Sequence, residues 1–260
     1  MSTDMFRLDG KVAFIPGGSG GIGSTLAAGL CDAGAQLAIV DRDGDGLART
    51  CSRLSVTGAH PLAIAADLTK KEEADRAVAE TVAHFGRLDI IINAIGGGAG
   101  NVLFDAEVYP VAEWDWIFDL NLRTTVLSTQ AAVRAMIEGG RGGKVVNISS
   151  VRGQLGINAG YSAYVAAKGA IDSLTRQWAT EWAKHRITVN AIAPTFVDTP
   201  QVAMLLEDPV FKAGVVSRIP LGRVGETTDL LGPVLLFCSD ASSFVTGQIL
   251  TIDGGLTATQ

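Results

Sequence analysis

Seven short apolar runs recur along this chain, and longer segments with helical patterning separate them. The runs cover residues 11–15, 35–40, 61–66, 88–95, 144–149, 187–193 and 248–252. Each run is continuously apolar rather than alternating, which is typical of a parallel strand buried on both faces. The segments between the runs are long enough for crossover helices. The pattern therefore predicts an α/β fold, a single-domain doubly wound (Rossmann) parallel sheet of about seven strands with helices on both faces.

The domain organisation is simple, because no repeat, charge run or linker divides the 260 residues. This length suits one α/β domain, so we expect residues 1–260 to form a single dinucleotide-binding catalytic domain. A stretch at about 196–223, rich in polar residues and prolines, is predicted to be a substrate-loop insert overhanging the ligand crevice. Among the helix signals, Thr69 with Glu72 three residues later predicts an N-cap.

Charge and composition disfavour several classes of partner. A net charge of −6 and a pI near 5.1 argue against nucleic acid and anionic membranes, because both recruit basic patches. The N-terminus has no apolar signal segment, and no run approaches the ~18 apolar residues that span a bilayer. Histidines and cysteines are scattered without a CxxC pattern, which predicts neither a metal site nor a disulfide framework. We expect a cytoplasmic protein with a small-molecule substrate.

A glycine-rich stretch, PGGSGGIG at residues 16–23, lies between the first apolar run and a helical pattern. Glycines let the backbone turn tightly and approach a pyrophosphate, while the start of a helix supplies N–H groups and a favourable dipole end. The same stretch by itself would also suit a plain tight turn. Its position between a strand and a helix favours dinucleotide binding.

The second apolar run ends at Asp41. A carboxylate there accepts hydrogen bonds from the hydroxyls of an adenosine ribose and repels a 2′-phosphate, which favours NAD over NADP. Arg42 beside it would tolerate NADP. An alternative is that Asp41 caps the following helix, a role that Asp43 could fill equally well.

Two residues in YSAYVAAK, Tyr164 and Lys168, are four apart, so a helix presents both on one face. A tyrosine has a pKa near ~10 and is a poor base at neutral pH, but a nearby ammonium and an oxidised nicotinamide would favour its phenolate. Ser150, at the end of the fifth run, offers a hydroxyl for a substrate oxygen, and Tyr161 is predicted to line the pocket or pack there. The alternative is a tyrosine at the start of a helix with a surface lysine, neither of which takes part in chemistry.

These features together resemble the short-chain dehydrogenase/reductase family over nearly the whole chain. The matching motifs are KVAFIPGGSGGIG from residue 11, NA at 93, NISS at 147, YVAAK at 164, VNAIAP at 189 and the closing TIDGG. The resemblance implies that Tyr164 is the general acid/base, that Lys168 lowers its pKa and holds the nicotinamide ribose, and that Ser150 binds the reacting oxygen. It also implies that Asn121 supports a proton-relay water. Hydride would pass between a substrate carbon and the nicotinamide C4.

The cofactor site that follows draws on the ends of several strands. Its expected members are Gly17, Ser19, Gly21, Ile22 and Gly23 at the pyrophosphate, Asp41 and Arg42 at the adenosine ribose, Asp67 and Leu68 at the adenine, Asn93 and Ala94 along the crevice rim near the nicotinamide ribose, Tyr164 and Lys168, and Pro194, Val197 and Thr199 at the carboxamide. The alternative for Asp67 and for Asn93, each taken singly, is a structural residue that bonds to its own loop.

The chain departs from the family pattern at several of these motifs. Pro16 stands where threonine is usual, so we expect an altered brace to residues 93–96 rather than lost binding. Ile92, Ile95 and Thr195 stand where asparagine, glycine and glycine are usual. The spacing from Ser150 to Tyr164 is one residue longer than in many members, which keeps Ser149 as an alternative hydroxyl.

The C-terminal half resembles the branch that acts on sugars, polyols and sugar acids, such as gluconate dehydrogenases. We therefore expect NAD-dependent hydride transfer from a secondary or hemiacetal hydroxyl of such a substrate. Gluconate members carry a basic residue after the fourth strand, whereas residues 96–104 of this chain carry no charge. Arg152 and Asn158, after Ser150, would instead face an anionic or hydroxylated substrate, the alternative for Arg152 being an exposed loop position.

The sequence is also compatible with two other functions. One is an NADPH-dependent 3-oxoacyl thioester or ketone reductase, and the other, of a different class, is a non-catalytic nicotinamide-sensing binding protein. Trp178 and Trp182 lie four apart on the helix after the tyrosine, where core packing would explain them. Because family members commonly pair this helix across a subunit contact, we expect a homotetramer.

Overall fold

The computed structural model describes residues 3–56, 58–98 and 103–259, with the side chains of residues 3, 204 and 205 left aside. Within these residues, seven parallel strands form one sheet in the order β3-β2-β1-β4-β5-β6-β7. The strands, numbered along the chain, are β1 (Val12–Pro16), β2 (Gln36–Asp41), β3 (Leu62–Ala65), β4 (Ile90–Asn93), β5 (Gly143–Ile148), β6 (Ile187–Pro194) and β7 (Ile249–Ile252). The prediction of a seven-stranded doubly wound sheet is confirmed.

Helices connect the strands and cover both faces of the sheet. They are α1 (Gly21–Asp32), α2 (Gly44–Ser55), α3 (Lys71–Phe85), α4 (Val111–Phe118), α5 (Thr124–Gly139), α6 (Ser162–Trp182), α7 (Pro200–Leu206), α8 (Pro209–Val216) and α9 (Leu231–Cys238). A π-helical turn, Asp119–Arg123, joins α4 to α5, and a 3₁₀ turn, Val151–Gly153, follows β5. In the described part of the chain, no helix has the length and apolar character needed to cross a bilayer.

The core consists of two apolar layers, one on each face of the sheet. Successive strand side chains point to opposite faces, so the neighbours Phe14 and Ile15 of β1, both fully buried, enter different layers. The layer that contains Ile15 packs against α1, α2 and α9, for example at Leu26. The layer that contains Phe14 packs against α3, α5 and α6. Burial of β1 on both faces explains why its sequence is continuously apolar.

The strand order reverses next to β1, and this reversal positions the site. The chain moves outward from β1 to β2 and β3, then returns to place β4 on the other side of β1. The connections on the two sides of β1 therefore run in opposite directions, which leaves a crevice beyond the carboxyl ends of the strands. Across the crevice floor, the Ala94 amide donates to the carbonyl of Pro16 at 3.0 Å. Pro16 thus braces the loop after β4 through its carbonyl.

The predicted N-cap at Thr69 is wrong. Helix α3 begins one residue later than expected, with Lys70 as its N-cap and no side-chain capping bond from that residue. The Thr69 hydroxyl instead donates to Asp67 Oδ1 at 2.6 Å. The hydroxyl of Thr69 is thus held by the nearby carboxylate and does not cap the helix.

Candidate active site

A cavity of about 470 Å³ opens at the carboxyl ends of β1, β4, β5 and β6. The predicted site residues that line it are Gly21, Ile22, Gly23, Arg42, Ala94, Ser150, Arg152, Tyr164, Lys168, Pro194, Val197 and Thr199. Its charged lining residues in the described chain are Arg42, Arg152 and Lys168, with no aspartate or glutamate. A protein with a net charge of −6 therefore holds a positively charged cavity.

Steric contacts in the glycine-rich loop leave no room for side chains. Gly17 has φ of +77°, and a Cβ atom there would lie 2.8 Å from the backbone of Ala94 and Ile95. A Cβ at Gly23 would lie 2.1 Å from the carbonyl oxygen of Gly17. Such positions accept only glycine.

The start of α1 adds the second half of this loop's chemistry. Its N-cap, Gly20, makes no side-chain capping bond, and its first turn carries no acidic residue. The first amides of a helix lack backbone acceptors and favour an anion. Gly20, Gly21 and Ile22 all line the cavity. The loop and the helix start together fit the pyrophosphate of a dinucleotide.

The Asp41 carboxylate lies against the same loop. Its Oδ2 accepts from the hydroxyl of Ser19 at 2.6 Å, and its Oδ1 accepts from the Asp43 amide at 3.2 Å. Asp43, not Asp41, caps α2, by accepting from the Gly46 amide at 3.0 Å. The capping alternative for Asp41 is therefore wrong. Arg42 is exposed and lines the cavity beside this carboxylate.

The predicted adenine residues lie off the cavity. Leu68 is 2% exposed and belongs to the apolar layer under α3. The Asp67 carboxylate is turned towards Thr69 and Lys70, and the hydrogen bond from Thr69 lowers the pKa of Asp67 below its ordinary value. The expected adenine contact at Leu68 is not available to its buried side chain, because packing against α3 takes priority.

The Asn93 side chain also departs from expectation. It is buried, and its Nδ2 donates to Thr129 Oγ1 and to Asn147 Oδ1, both at 2.8 Å. Asn147 in turn donates to Thr175 at 2.9 Å. This network ties β4 and β5 to α5 and α6, so the predicted contact of the Asn93 side chain with the nicotinamide ribose is wrong. Ala94, the next residue, reaches the cavity instead.

Lys168 lies one turn after Tyr164 on α6, and both line the cavity. Its side chain is buried, and its Nζ donates to the carbonyl of Ile148 at 2.9 Å. The Nζ also lies 5.7 Å from the centre of the Tyr164 ring. Burial lowers the pKa of Lys168 to about 8, against an opposing effect of the Asp172 carboxylate. The strand-end carbonyl thus holds a cation beside the tyrosine.

Burial raises the pKa of Tyr164 above its ordinary value, and a hydrogen bond with Ser150 opposes this rise. The net direction in the protein without cofactor is thus upward, and the expected lowering by the ammonium of Lys168 stays a prediction. The low-dielectric surroundings disfavour the phenolate more strongly than the neighbouring groups favour it. The positive charge of an oxidised nicotinamide, the other half of the expectation, acts only in the complex.

The two serines at the end of β5 point to different partners. The Ser150 hydroxyl donates to the Pro194 carbonyl at 3.5 Å and accepts from the Arg152 amide at 3.1 Å, and it is the hydroxyl that lowers the pKa of Tyr164. The Ser149 hydroxyl donates to Asp172 Oδ1 at 2.5 Å. Residues adjacent along an extended chain point in opposite directions. Ser150 is therefore the hydroxyl beside Tyr164, and Ser149 bonds to Asp172 further along the same helix.

Asn121 lies fully buried in the π-helical turn between α4 and α5. Its Nδ2 donates to the carbonyls of Ile117 and Gly97 at 3.0 and 3.1 Å, and its Oδ1 accepts from the Gly97 amide at 3.0 Å. An amide side chain has two donor hydrogens and two acceptor positions, so one acceptor position of Oδ1 is left for a water. Asn121 fixes the loop that closes the cavity, and its proposed role in a proton relay stays a prediction.

The loop after Ser150 contributes one of its two predicted substrate residues. Arg152 is 6% exposed and lines the cavity, so the alternative of an exposed loop arginine is wrong. Asn158 is exposed and lies off the cavity, which Ile157 lines instead, so the expected contact of Asn158 is absent. Tyr161 lines the cavity as expected, with its ring 6.3 Å from that of Tyr164 in an edge-on arrangement.

The far wall comes from the end of β6 and the segment after it. Pro194, Val197 and Thr199 line the cavity there, and Thr199 is the N-cap of α7. Segment 196–223 contains α7 and α8, and its first residues contact the cavity, in the position expected for an insert over the crevice. Its proposed role as a substrate loop stays a prediction.

Several residues that line the cavity were not predicted as site residues. They are Ile95, Gly96, Gly97, Gly98, Trp116, Leu120, Phe196, Gln201 and Val202. The run of glycines at 96–98 was a sequence signal for a close approach of backbone here. In the structure, a Cβ at Gly96 would lie 2.9 Å from Asn121 Oδ1 and 3.0 Å from Lys168 Nζ. Trp116 reaches the cavity from α4, which packs against α6.

The glycine cradle, the buried lysine beside a tyrosine and the strand-end serine define a nicotinamide-dependent oxidoreductase. A family model described as enoyl-(acyl carrier protein) reductase matches residues 17–257. The chain belongs to the short-chain dehydrogenase/reductase family. It is an oxidoreductase of hydroxyl and keto groups, which confirms the predicted enzyme class.

Relatives across the full chain place it near sugar-acid enzymes. It is 36% identical to the 2-dehydro-3-deoxy-D-gluconate 5-dehydrogenase of Escherichia coli K12, over 98% of each chain. It is 35% identical to the gluconate 5-dehydrogenase of Gluconobacter oxydans, over 98% of this chain and 97% of the relative. A gluconate 5-dehydrogenase from Burkholderia cenocepacia, solved in complex with NADP and tartrate, superposes with a TM-score of 0.90 at 35% identity, over 98% of each chain. The predicted resemblance to the gluconate dehydrogenase branch is confirmed.

Proposed function

We propose that this enzyme oxidises a secondary or hemiacetal hydroxyl of a sugar, polyol or sugar acid, with NAD as the hydride acceptor. The observation that carries the proposal is the hydroxyl pair of Ser150 and Tyr164 at the cavity, with the Lys168 ammonium behind the tyrosine and the Arg152 guanidinium beside it. The names of the sugar-acid relatives support the substrate class.

In this proposal, the substrate hydroxyl binds between the hydroxyls of Ser150 and Tyr164. Tyr164 takes the hydroxyl proton while the carbon loses its hydride, and the product is a ketone or lactone. The bound cofactor supplies the nicotinamide carbon that accepts the hydride. Lys168, held by the Ile148 carbonyl, keeps a positive charge near the Tyr164 phenolate, the form that accepts this proton. The chain's own contribution is therefore orientation and a path for the proton.

The preference for NAD is also a proposal. The Asp41 carboxylate beside the glycine-rich loop supports it, because a 2′-phosphate placed there would meet a negative charge. Arg42 next to it, and the NADP bound to the Burkholderia relative, favour the opposite preference. A comparison of initial rates with NAD and NADP at matched concentrations decides between them.

A substrate panel tests the function itself. Initial rates with both cofactors are measured on aldoses, aldonic acids, alditols and cyclic ketones. We expect turnover of at least one polyhydroxylated compound, together with a rise in melting temperature on adding NADH, since ligands that bind the folded state stabilise it. Turnover of acyl thioesters alone would overturn the proposal.

One second candidate has an observation in its favour. The matching family model is described as a reductase of an acyl carrier protein thioester, which supports an NADPH-dependent 3-oxoacyl thioester or ketone reductase. The same panel discriminates, because this candidate requires activity with NADPH on a 3-oxoacyl thioester and none on aldonic acids or alditols.

We also propose a homotetramer in the cytoplasm. The stacked rings of Trp178 and Trp182, 5.1 Å apart, do not carry it, because both pack against the apolar layer of their own chain. Two exposed apolar side chains support it: Phe244, which is fully exposed, and Leu250 on the edge strand β7, which is 39% exposed. Large exposed apolar side chains often mark contacts between chains. Light scattering that gives a monomer would refute the tetramer.

A further inference from the structure

Arg152 occupies an unusual position for an arginine. It lies in the 3₁₀ turn Val151–Gly153 directly after β5, and its backbone amide donates to the hydroxyl of Ser150 at 3.1 Å. Its guanidinium is almost completely buried on the wall of the cavity. The turn therefore couples the position of this cation to the serine that contacts Tyr164.

Only part of the guanidinium is satisfied by the protein. Nη1 donates to the carbonyl of Gly156 at 3.0 Å, whereas Nη2 is buried and has no hydrogen-bond partner among the described residues. A buried donor without an acceptor, and above all a charged one, destabilises a fold. An arginine cannot escape this cost by losing its proton. A buried, unpartnered Nη2 on the wall of the cavity indicates a partner that arrives with the ligand.

No carboxylate of the described chain neutralises this charge. Arg152 makes no ion pair there, and the lining contains no acidic residue. Arg218, after α8 in the insert, adds a second positive charge that repels the first, and burial together with this repulsion lowers the pKa of Arg152. Two guanidinium groups that repel each other and form no ion pair within the described residues make an electrostatic site for an anion.

The other cations of the cavity are already assigned. Lys168 donates to the Ile148 carbonyl, and Arg42 follows β2 beside the glycine-rich loop, at the dinucleotide end. Arg152 is thus the cation on the substrate side, next to Ser150. A planar guanidinium edge matches the two oxygens of a carboxylate.

We propose that Arg152 is a specificity-determining residue, whose Nη2 edge binds the carboxylate of a polyhydroxy acid while Ser150 and Tyr164 bind its reacting hydroxyl. The inference rests on the proposed function and narrows it from polyhydroxylated compounds in general to aldonic acids. Arg218 assists from the insert, more weakly because it is exposed to solvent. Residues 96–104 carry no charge that could replace Arg152.

The test compares six-carbon aldonic acids with the alditols of matching configuration. The variants are Arg152→Gln, Arg152→Lys and Arg218→Gln, with Arg141→Gln as the charge-matched control, since Arg141 is exposed at the opposite end of β5. The readout is the ratio of kcat/KM for acid to kcat/KM for alditol. This ratio cancels any effect that the Arg152 charge has on the pKa of Tyr164, which it lowers.

We expect R152Q to lower the ratio about 100-fold, mainly through KM of the acid, because a desolvated charge-assisted bond is lost. R152K should lower it about tenfold, since a lysine keeps the charge but not the paired donors. R218Q should lower it roughly threefold, and R141Q not at all. An aldonate should also raise the melting temperature of the wild type in the presence of NADH more than that of R152Q.

Several results would overturn the inference. An unchanged ratio in both R152Q and R152K, with the wild type active on acids, would show that the carboxylate binds elsewhere and would leave the proposed function standing. Wild-type activity on alditols with none on acids would have the same meaning. Activity on acyl thioesters alone would remove the proposed function and this inference together. If R152Q does not fold, the ratio measured for R152K, which keeps the charge and a similar volume, decides the test.

Discussion

The dinucleotide end and the substrate end of the cavity are built on different principles. At the dinucleotide end, backbone does the binding: glycines whose missing Cβ atoms would clash at 2.1 to 2.8 Å, followed by a helix start without a side-chain cap. At the substrate end, buried side chains act, and burial shifts the pKa of Tyr164 upward and that of Lys168 downward.

This difference predicts opposite sensitivities to mutation. A backbone site tolerates changes of charge nearby but not an added carbon atom, because its geometry depends on close approach. A buried polar site tolerates little change of chemistry, because each group is held by a partner such as the Ile148 carbonyl or the Ser150 hydroxyl. The four variants that follow separate the two ends.

The largest effect should come from Tyr164→Phe. Loss of the hydroxyl removes the proton acceptor, so kcat should fall by about 10³-fold, while NADH binding, measured by fluorescence titration, changes little. Tyr161→Phe is the matched control and should alter KM by less than about tenfold. A loss of NADH affinity in Tyr164→Phe as large as its loss of kcat would show that the two ends of the cavity do not act separately.

Gly23→Ala should act on the other end. Its Cβ would lie 2.1 Å from the Gly17 carbonyl oxygen, so the loop must move and NADH affinity should fall by about 100-fold. Gly44→Ala, where nothing lies within 4 Å of the added carbon, is the control and should leave affinity and melting temperature nearly unchanged. If Gly23→Ala binds NADH normally, the backbone account of this end is wrong.

Asp41→Asn should change the choice of cofactor by about tenfold, in favour of NADP, because a charge-assisted acceptor for the ribose is weakened and a repulsion is removed. The ratio of kcat/KM with NAD to that with NADP measures this. Asp43→Asn, which alters the cap of α2, should affect thermal stability and leave the ratio as it was. A shift of the same size in both variants would contradict the assignment of Asp41.

Lys168→Met should change the free energy of unfolding by an amount that depends on pH. The folded pKa of Lys168 is about 8, below its ordinary value of 10.5, so the buried ammonium destabilises the fold fully below pH 8 and progressively less as pH rises towards 10.5. The free energy of unfolding of the variant, relative to that of the wild type, should therefore be about 2.5 kcal/mol higher at pH 6 than at pH 10. Denaturant unfolding at both pH values checks this, and a gain that grows with pH would contradict it.

Much of the architecture was predictable because it is encoded by neighbours along the chain. Continuous apolar runs predict buried parallel strands, and all seven form the sheet. The spacing of Tyr164 and Lys168 predicts one helical face, and the glycines before α1 predict a tight turn. Each of these depends on period or spacing within one segment.

The sequence by itself determined the sheet, the glycine-rich loop and the tyrosine and lysine on one helix, since local periodicity and side-chain spacing specify them. Only the tertiary structure decided that Ser150 rather than Ser149 meets Tyr164, that Asn93 turns into the sheet, and that Arg152 is buried beside the cavity. Those outcomes depend on which face of a strand end or loop packs against α5 and α6. Contacts between distant segments set that packing, and no pattern within one segment encodes them.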